Sequence, residues 1–153
     1  MGGVQMSDDG FDAPEHAAMV GFPPKYCRVI ASRANGDYAY VLLNTGSTEQ
    51  PYLYGVNCRR EKGRWFEGGS SNGPGWEQTG NDPDVGTLSF WDDAPADADM
   101  VRVEFDGRIV DEPVVDRSFL VVWWHVPAPQ DWPRALAFRI AGRWIDSAGV
   151  QAG

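Results

Sequence analysis

Two thiols and two imidazoles are the side chains of this 153-residue chain best suited to nucleophilic or metal chemistry. A meander of strands would place Cys27 and Cys58 at opposite ends of one sheet, roughly 15–20 Å apart at about 3.3 Å per residue. A disulfide needs Cα atoms within about 7 Å, so we expect two free, mostly buried thiols. Neither cysteine has a histidine nearby in sequence, and His16 and His125 lack the close spacing of metal ligands. We therefore expect no catalytic residue, no metal and no cofactor.

Acidic side chains dominate the middle of the chain, where no basic residue occurs between Trp65 and Val101. Clustered carboxylates can bind Ca²⁺, although the EF-hand pattern is absent here, and a pair about 5–10 Å apart in a cleft would suit glycoside hydrolysis. A solvated acidic edge and an acidic face that steers a basic partner protein are the other two interpretations. The carboxylates that we assign to such a face are Asp82, Asp84, Asp92 and Asp93.

Tryptophan is abundant, with seven residues in the chain. Trp65, Trp76 and Trp132 border loops rich in Gly and Pro. Such residues serve as sugar-stacking platforms or as hot spots of protein binding, and they also fold over the end of a core as lids. The polar part of a recognition site between the first two would consist of Ser70, Ser71 and Asn72.

A further pair of tryptophans lies in the apolar segment Phe119–Val126. On an alternating strand Trp123 and Trp124 point to opposite faces, and a sandwich buries only one face of each sheet. Leaving a large apolar side chain in water forgoes roughly 2–3 kcal/mol, so we expect the outer face to be covered. The cover would be the N-terminal segment of the same chain, a second copy or a partner, and we include Trp123 among the candidate binding residues.

The elements that must position these residues are short strands joined by turns. Asn35-Gly36 and Asp106-Gly107 are strong signals for two-residue hairpins. About eight or nine strands follow at regular spacing, which indicates an all-β protein with a single antiparallel β-sandwich. Before them, the spacing of Asp12 and Glu15 predicts a short helix over residues 13–20 with a capping box. We therefore predict a flexible tail with a short helix over residues 1–24, a sandwich domain over residues 25–146 and a flexible tail over residues 147–153.

The chain from Ala98 onward has the order strand, Asp-Gly, strand, then EPVVDRSFLVVWW, then ALAFRIAGRWI. This order resembles the C-terminal part of uncharacterised actinobacterial proteins with an immunoglobulin-like β-sandwich fold. The resemblance covers about a third of the chain and consists of turns and core positions. It implies an immunoglobulin-like fold and no activity.

The net charge of −9 limits the classes of molecule that this chain is expected to bind. Nucleic acid would be repelled, because binding to phosphate needs clustered Lys and Arg. The N-terminal segment lacks the basic and apolar regions of a signal peptide, and no apolar run is long enough to span a membrane, so we expect a cytoplasmic protein. We predict a non-enzymatic module that binds a basic protein, such as an immunity-type protein. The alternatives are a carbohydrate-binding module that uses the loop tryptophans and a homo-oligomeric subunit that assembles through Phe119–Val126.

Overall fold

The structure, a computed structural model, describes residues 10–71 and 73–148. The chain divides into two compact units, Met1–Gly73 and Pro74–Gly153. The described residues form eleven strands in three antiparallel sheets, which confirms the all-β class and exceeds the eight or nine strands predicted. Two predicted tails fall largely on residues 1–9 and 149–153, outside the described residues. The prediction of one domain over residues 25–146 stays a prediction.

The first unit contains one four-stranded sheet in the order β1-β2-β3-β4, the predicted meander. Its strands are β1 (Arg28–Asn35), β2 (Tyr38–Asn44), β3 (Leu53–Glu61) and β4 (Arg64–Ser71). The first hairpin is shifted from its prediction, because Asn35 pairs with Tyr38 and the two turn residues are Gly36 and Asp37. Only Gly36 has a positive φ, 60°, as the first position of a type II′ turn requires.

The helix of the first unit, α1 (Pro14–Ala18), is shorter than the predicted helix and is followed by a 3₁₀ turn (Pro24–Tyr26). The predicted capping box is wrong, because the N-cap is Ala13 and no side chain caps the helix. Asp12 instead pairs with Arg64 on β4. Ala17 and Ala18 are buried against the sheet in one core, together with residues such as Val41, Leu43 and Val56.

The second unit contains two sheets, with strand orders β5-β6-β9 and β11-β10-β7-β8. The first consists of β5 (Gly75–Gln78), β6 (Gly86–Asp93) and β9 (Ser118–Val126). The second consists of β7 (Ala98–Phe105), β8 (Arg108–Pro113), β10 (Arg134–Ile140) and β11 (Arg143–Asp146).

One aromatic core joins the two sheets of the second unit. The Phe119 ring on β9 lies 5.5 Å from that of Phe90 on β6 and 6.2 Å from that of Phe138 on β10, measured between centroids. Val101 and Val103 on β7 belong to the same core and are fully buried. Residues from both sheets therefore share one dry interior, which is how stacked sheets are stabilised.

The hairpin between β7 and β8 forms as predicted. Asp106 and Gly107 both have positive φ, 54° and 75°, as a type I′ turn requires. The predicted cross-strand pair of Arg102 with Asp111 is present, with two hydrogen bonds of 2.9 and 3.0 Å from the guanidinium to the carboxylate. These hydrogen bonds hold the pKa of Asp111 below its usual value. The Trp144 ring lies 4.1 Å from the same guanidinium and extends this surface ladder onto β11.

A β-bulge ends the regular alternation of β9. Trp123 pairs with Leu88 and Val126 pairs with Gly86, so β9 has two residues where β6 has one. His125 is one of the two and has a φ of 54°, in the left-handed region. The predicted alternation therefore holds only up to the bulge.

No helix within residues 10–71 and 73–148 is long and apolar enough to cross a membrane.

Candidate functional site

The four carboxylates of the predicted acidic face lie in two separate places. Asp82 and Asp84 form a turn in the loop before β6, where the Asp84 amide donates to the Asp82 carboxylate at 2.9 Å. Asp92 and Asp93 end β6, whose eight residues span roughly 26 Å at 3.3 Å per residue. The single acidic edge that the sequence suggested is therefore wrong. In the described part of the chain, no group of three or more His, Cys, Asp or Glu side chains is placed to hold a metal ion.

Trp65 is a core residue and not a binding platform. It is 6% exposed and belongs to the core of the first unit. Its backbone pairs with that of Phe11, and the Arg60 guanidinium lies 5.3 Å from its ring. A fully packed ring offers no face to a ligand, so the binding role predicted for Trp65 is corrected to the lid alternative.

Contacts within the second unit fix the position of the Trp76 side chain. Its indole N–H donates to the Val126 carbonyl at 2.9 Å. Its ring also fills the space beside Gly86, where an added Cβ would approach it to 2.8 Å. Trp76 therefore fastens the short edge strand β5 to its neighbours, which argues against a free stacking surface at this position.

The serines of the predicted polar loop belong to a strand. The sequence GGSSNGPG favours a loop over residues 68–75, yet β4 continues through Ser71 and pairs Ser70 with Val56. Gly69, with a φ of 154°, continues that strand. Asn72 lies outside the described residues. The backbone at Ser70 and Ser71 is therefore part of β4 and not the recognition loop that we predicted.

Of the two adjacent tryptophans, Trp123 faces inward. Its ring lies 4.9 Å from that of Phe105 and packs against the core of the second unit. Trp124, on the opposite face of β9, is half-buried. Of the N-terminal residues predicted to cover the outer face, Met19 and Phe22 pack against the core of the first unit. Trp123 is thus a packing residue, contrary to the role we assigned to it.

Trp132 is the one predicted tryptophan whose side chain is open to solvent, at 56% exposure. It lines a cleft of about 910 Å³ formed by residues 104–107, residues 126–132 and Arg134, which we name the Trp132 cleft. A cleft of this size is within the range of known ligand sites. The Trp132 cleft is therefore the candidate functional site in the structure.

Strand ends, a hairpin turn and a proline-rich loop build the Trp132 cleft. The β7–β8 turn carries Asp106, and the loop from β9 to β10 carries Asp131 and Trp132 between prolines that fix φ. Arg134 is the cross-strand neighbour of Glu104, and its Nε donates to that carboxylate at 2.8 Å. Three carboxylates and one guanidinium line the cleft, so its formal charge is −2. An exposed indole in an anionic cleft suits a cationic ligand.

Sequence reasoning missed the acidic residues of the Trp132 cleft, which are Glu104, Asp106 and Asp131. Asp106 was interpreted only as a turn residue. The sequence did contain one signal for this site, the segment PAPQDWP. In it an acidic and an aromatic residue lie between prolines, which restrict the backbone.

The two cysteines are free and buried, as predicted. Burial, more than the nearby carboxylates of Glu67 and Glu15, raises the pKa of Cys58 to about 12. The Cys58 thiol lies 3.6 Å from the Pro14 carbonyl. Burial also raises the pKa of Cys27. Both thiols are therefore protonated near neutral pH, where the thiolate is the nucleophilic form.

No family model, curated protein or solved structure matches this chain. The geometry of the Trp132 cleft is therefore the basis on which a function can be assigned.

Proposed function

We propose that the chain is a non-enzymatic protein-binding module whose Trp132 cleft takes a basic segment of a partner protein. The observation that carries this proposal is the exposed Trp132 ring in a cleft of formal charge −2. Tryptophan is enriched among the hot spots of protein interfaces, and a bound ligand would remove its apolar surface from water.

The acidic lining selects the sign of that segment. Within the described residues, Asp106 and Asp131 have no ion-pair partner, whereas the charge of Glu104 is shared with Arg134. An arginine or lysine of the partner would find these carboxylates available for pairing in the cleft, and its cation would be attracted to the indole face. The net charge of −9 would add a long-range attraction that speeds the encounter.

The finer predictions from the sequence belong to the same proposal. An immunoglobulin-like β-sandwich is supported by the second unit, where two antiparallel sheets share one core. A cytoplasmic location and an immunity-type role against a basic protein are consistent with the acidic composition and the two free thiols.

Peptide selection tests the proposal. A random peptide library is selected on the immobilised full chain, on a Trp132→Ala variant and on a Tyr26→Ala variant. Tyr26 is a matched control because it is 64% exposed, lies in the first unit and is outside the cleft. We expect peptides rich in Arg and Lys on the wild type and on Tyr26→Ala. Loss of a hot-spot tryptophan costs about 2 kcal/mol or more, so Trp132→Ala should weaken the enriched peptides about 30-fold.

The salt dependence of peptide affinity separates the electrostatic contribution to binding from the contribution of the Trp132 indole. At 1 M salt the Debye length is about 3 Å, so the electrostatic part should fall while the contribution of the indole remains. Enrichment of neutral or acidic peptides would refute the proposal, as would equal affinity for the wild type and Trp132→Ala.

Carbohydrate binding is the second candidate, because one exposed tryptophan beside carboxylates is also an arrangement that sugars bind. The geometry weakens the original three-tryptophan version, since Trp65 is in a core and Trp76 is hydrogen-bonded. Binding on a glycan array that disappears in Trp132→Ala would favour it over the peptide proposal.

Self-assembly through Phe119–Val126 is supported by the position of β9 at the edge of its sheet. Light scattering that shows a monomer at all concentrations would exclude it.

A further inference from the structure

The turn between β3 and β4 carries the densest group of basic residues in the chain. Four of the six residues from Arg59 to Arg64 are basic and one, Glu61, is acidic. Glu61 pairs with Arg64 across the turn, so Lys62 and Gly63 form its tip, and both have positive φ, 53° and 76°, as a type I′ turn requires. All six residues are exposed. We name this exposed, basic segment the Lys62 hairpin.

Lys62 is the cation of this hairpin that remains available to another molecule. Each arginine of the hairpin has an acidic partner, in the pairs Arg59 with Glu61, Arg60 with Asp37 and Arg64 with Asp12. Within the described residues, no ion pair involves Lys62. The turn does not account for a lysine at this position, because Asn, Asp and Gly adopt positive φ at lower cost. An ammonium group at an exposed tip, with three donors on a flexible stem, is suited to docking on an anionic site.

The two units differ in charge in a way that favours contact between unlike parts of two copies. Residues 1–73 contain seven basic and eight acidic residues, whereas residues 74–153 contain six and fourteen. The first unit thus has a net charge of −1 and the second a net charge of −8. The second units of two copies repel each other, while the Lys62 hairpin of one copy is attracted to the second unit of another copy.

We propose that the partner of the Trp132 cleft is a second copy of this chain, whose Lys62 hairpin docks in the cleft. This inference rests on the function proposed above, in which the cleft takes a basic segment. The formal charges are complementary, +3 for the hairpin and −2 for the cleft. The Lys62 ammonium would be attracted to the Trp132 indole and to the carboxylates of Asp106 and Asp131. A hairpin is preformed, so less conformational entropy is lost on docking than with a flexible peptide.

A contact of this kind joins different surfaces of the two copies and is therefore head-to-tail. Every assembly that has not closed into a ring keeps a free Lys62 hairpin at one end and a free Trp132 cleft at the other, so further copies can add. Species heavier than a dimer should therefore form as the concentration rises.

Sedimentation velocity of the full chain at low salt, from about 10 μM to about 1 mM, tests the contact. The average mass of the wild type should rise with concentration. Lys62→Glu reverses the charge at the tip and should weaken association about tenfold or more. Trp132→Ala removes the indole and should weaken it about 30-fold. Lys25→Glu is the matched control, because Lys25 is also exposed in the first unit and its ammonium lies 5.7 Å from the Tyr26 ring, and it should associate as the wild type does.

A mixture of the two weakened variants identifies the two surfaces. Lys62→Glu keeps an intact cleft, and Trp132→Ala keeps an intact hairpin. At a concentration where each variant alone is a monomer, equal amounts of the two should form one-to-one pairs. These pairs should not extend, because the hairpin and the cleft left free at their ends are the substituted ones.

The inference is overturned if the wild type stays a monomer at every concentration, if Lys62→Glu associates as the wild type does, or if the mixture forms no pairs. Association that persists in both variants would assign self-assembly to the β9 edge and would also overturn it. Basic peptides that bind the cleft of a monomeric wild type would refute this inference alone and leave the proposed function standing. Failure of basic peptides to bind would refute both.

Discussion

Replacing Asp92 by asparagine should stabilise the protein at neutral pH and leave its stability in acid unchanged. Asp92 is the cross-strand partner of Phe119, and its partial desolvation in the folded state disfavours its charge. Its pKa rises from an ordinary value of 3.8 to about 6 in the folded protein. Asparagine keeps the shape and cannot ionise. The variant therefore removes a cost that the wild type incurs only when the carboxyl is deprotonated.

The direction in which the free energy of unfolding changes with pH follows from the linkage between protonation and folding. Below the unfolded value near 3.8 both states bind the proton, and Asp92 contributes no penalty. As pH rises, the unfolded chain loses its proton first, so stability falls until the folded pKa of about 6 is passed. A shift of this size corresponds at most to about 3 kcal/mol at about 1.4 kcal/mol per unit. The Asp92 side chain is partly open to water, which screens the charge, so we expect about 1 kcal/mol.

Urea denaturation of the wild type and of Asp92→Asn from pH 4 to pH 8 measures this difference. The variant should gain about 1 kcal/mol above pH 6.5, and the gain should shrink towards zero at pH 4. Gln78→Ala is the control, because this exposed residue of β5 carries no titratable group, and its effect on stability should not vary with pH in this way. A variant that is less stable than the wild type at pH 7.5, or a gain that is the same at every pH, would refute the reasoning.

Two further predictions concern glycine and the backbone. Gly55→Ala should destabilise the first unit by about 2 kcal/mol or more in urea denaturation, because the new Cβ would lie 1.8 Å from the hydroxyl of Tyr40, which is 2% exposed. Gly75→Ala, where a Cβ meets open space, is its control, and equal losses would contradict the packing argument. Ala141→Gly should raise stability by about 1 kcal/mol, because Ala141 has a φ of 52° in the β10–β11 turn. Ala137→Gly, inside β10, should instead lose about 0.5–1 kcal/mol, and a loss in both variants would show that the turn is not strained.

Local chemistry allowed the hairpins to be predicted, and small differences in that chemistry explain the errors. Asp106-Gly107 gave the right turn and register because both residues accept a positive φ. Asn35-Gly36 gave a turn displaced by one residue, because Gly36 can also serve as the first residue of a type II′ turn. The extension of β4 through Ser71 was missed because pairing with β3 overrides the loop propensity of a Gly- and Ser-rich segment.

The candidate site could be predicted only in part, because side chains from distant segments form it. Trp132 was identified from its own surroundings in the sequence. Glu104 and Asp106 join it only because β10 pairs with β7, which brings together residues about 30 positions apart. Residue identity alone could not distinguish Trp65, which is buried in a core, from Trp132, which lines a cleft. Burial depends on the partner strands, and no local pattern encodes it.

The acidic composition predicted the sign of a partner, and sheet topology determines where that charge can act. The predicted acidic residues are divided between the two ends of β6, where Asp82 and Asp84 form an exposed turn and Asp92 is the cross-strand partner of Phe119. A charge in an exposed turn is screened by water and steers encounters weakly. A charge in a cleft beside an indole ring is screened less and can discriminate between ligands. Specific recognition should therefore follow the carboxylates next to exposed apolar surface, as in the Trp132 cleft, and not the density of acidic residues along the chain.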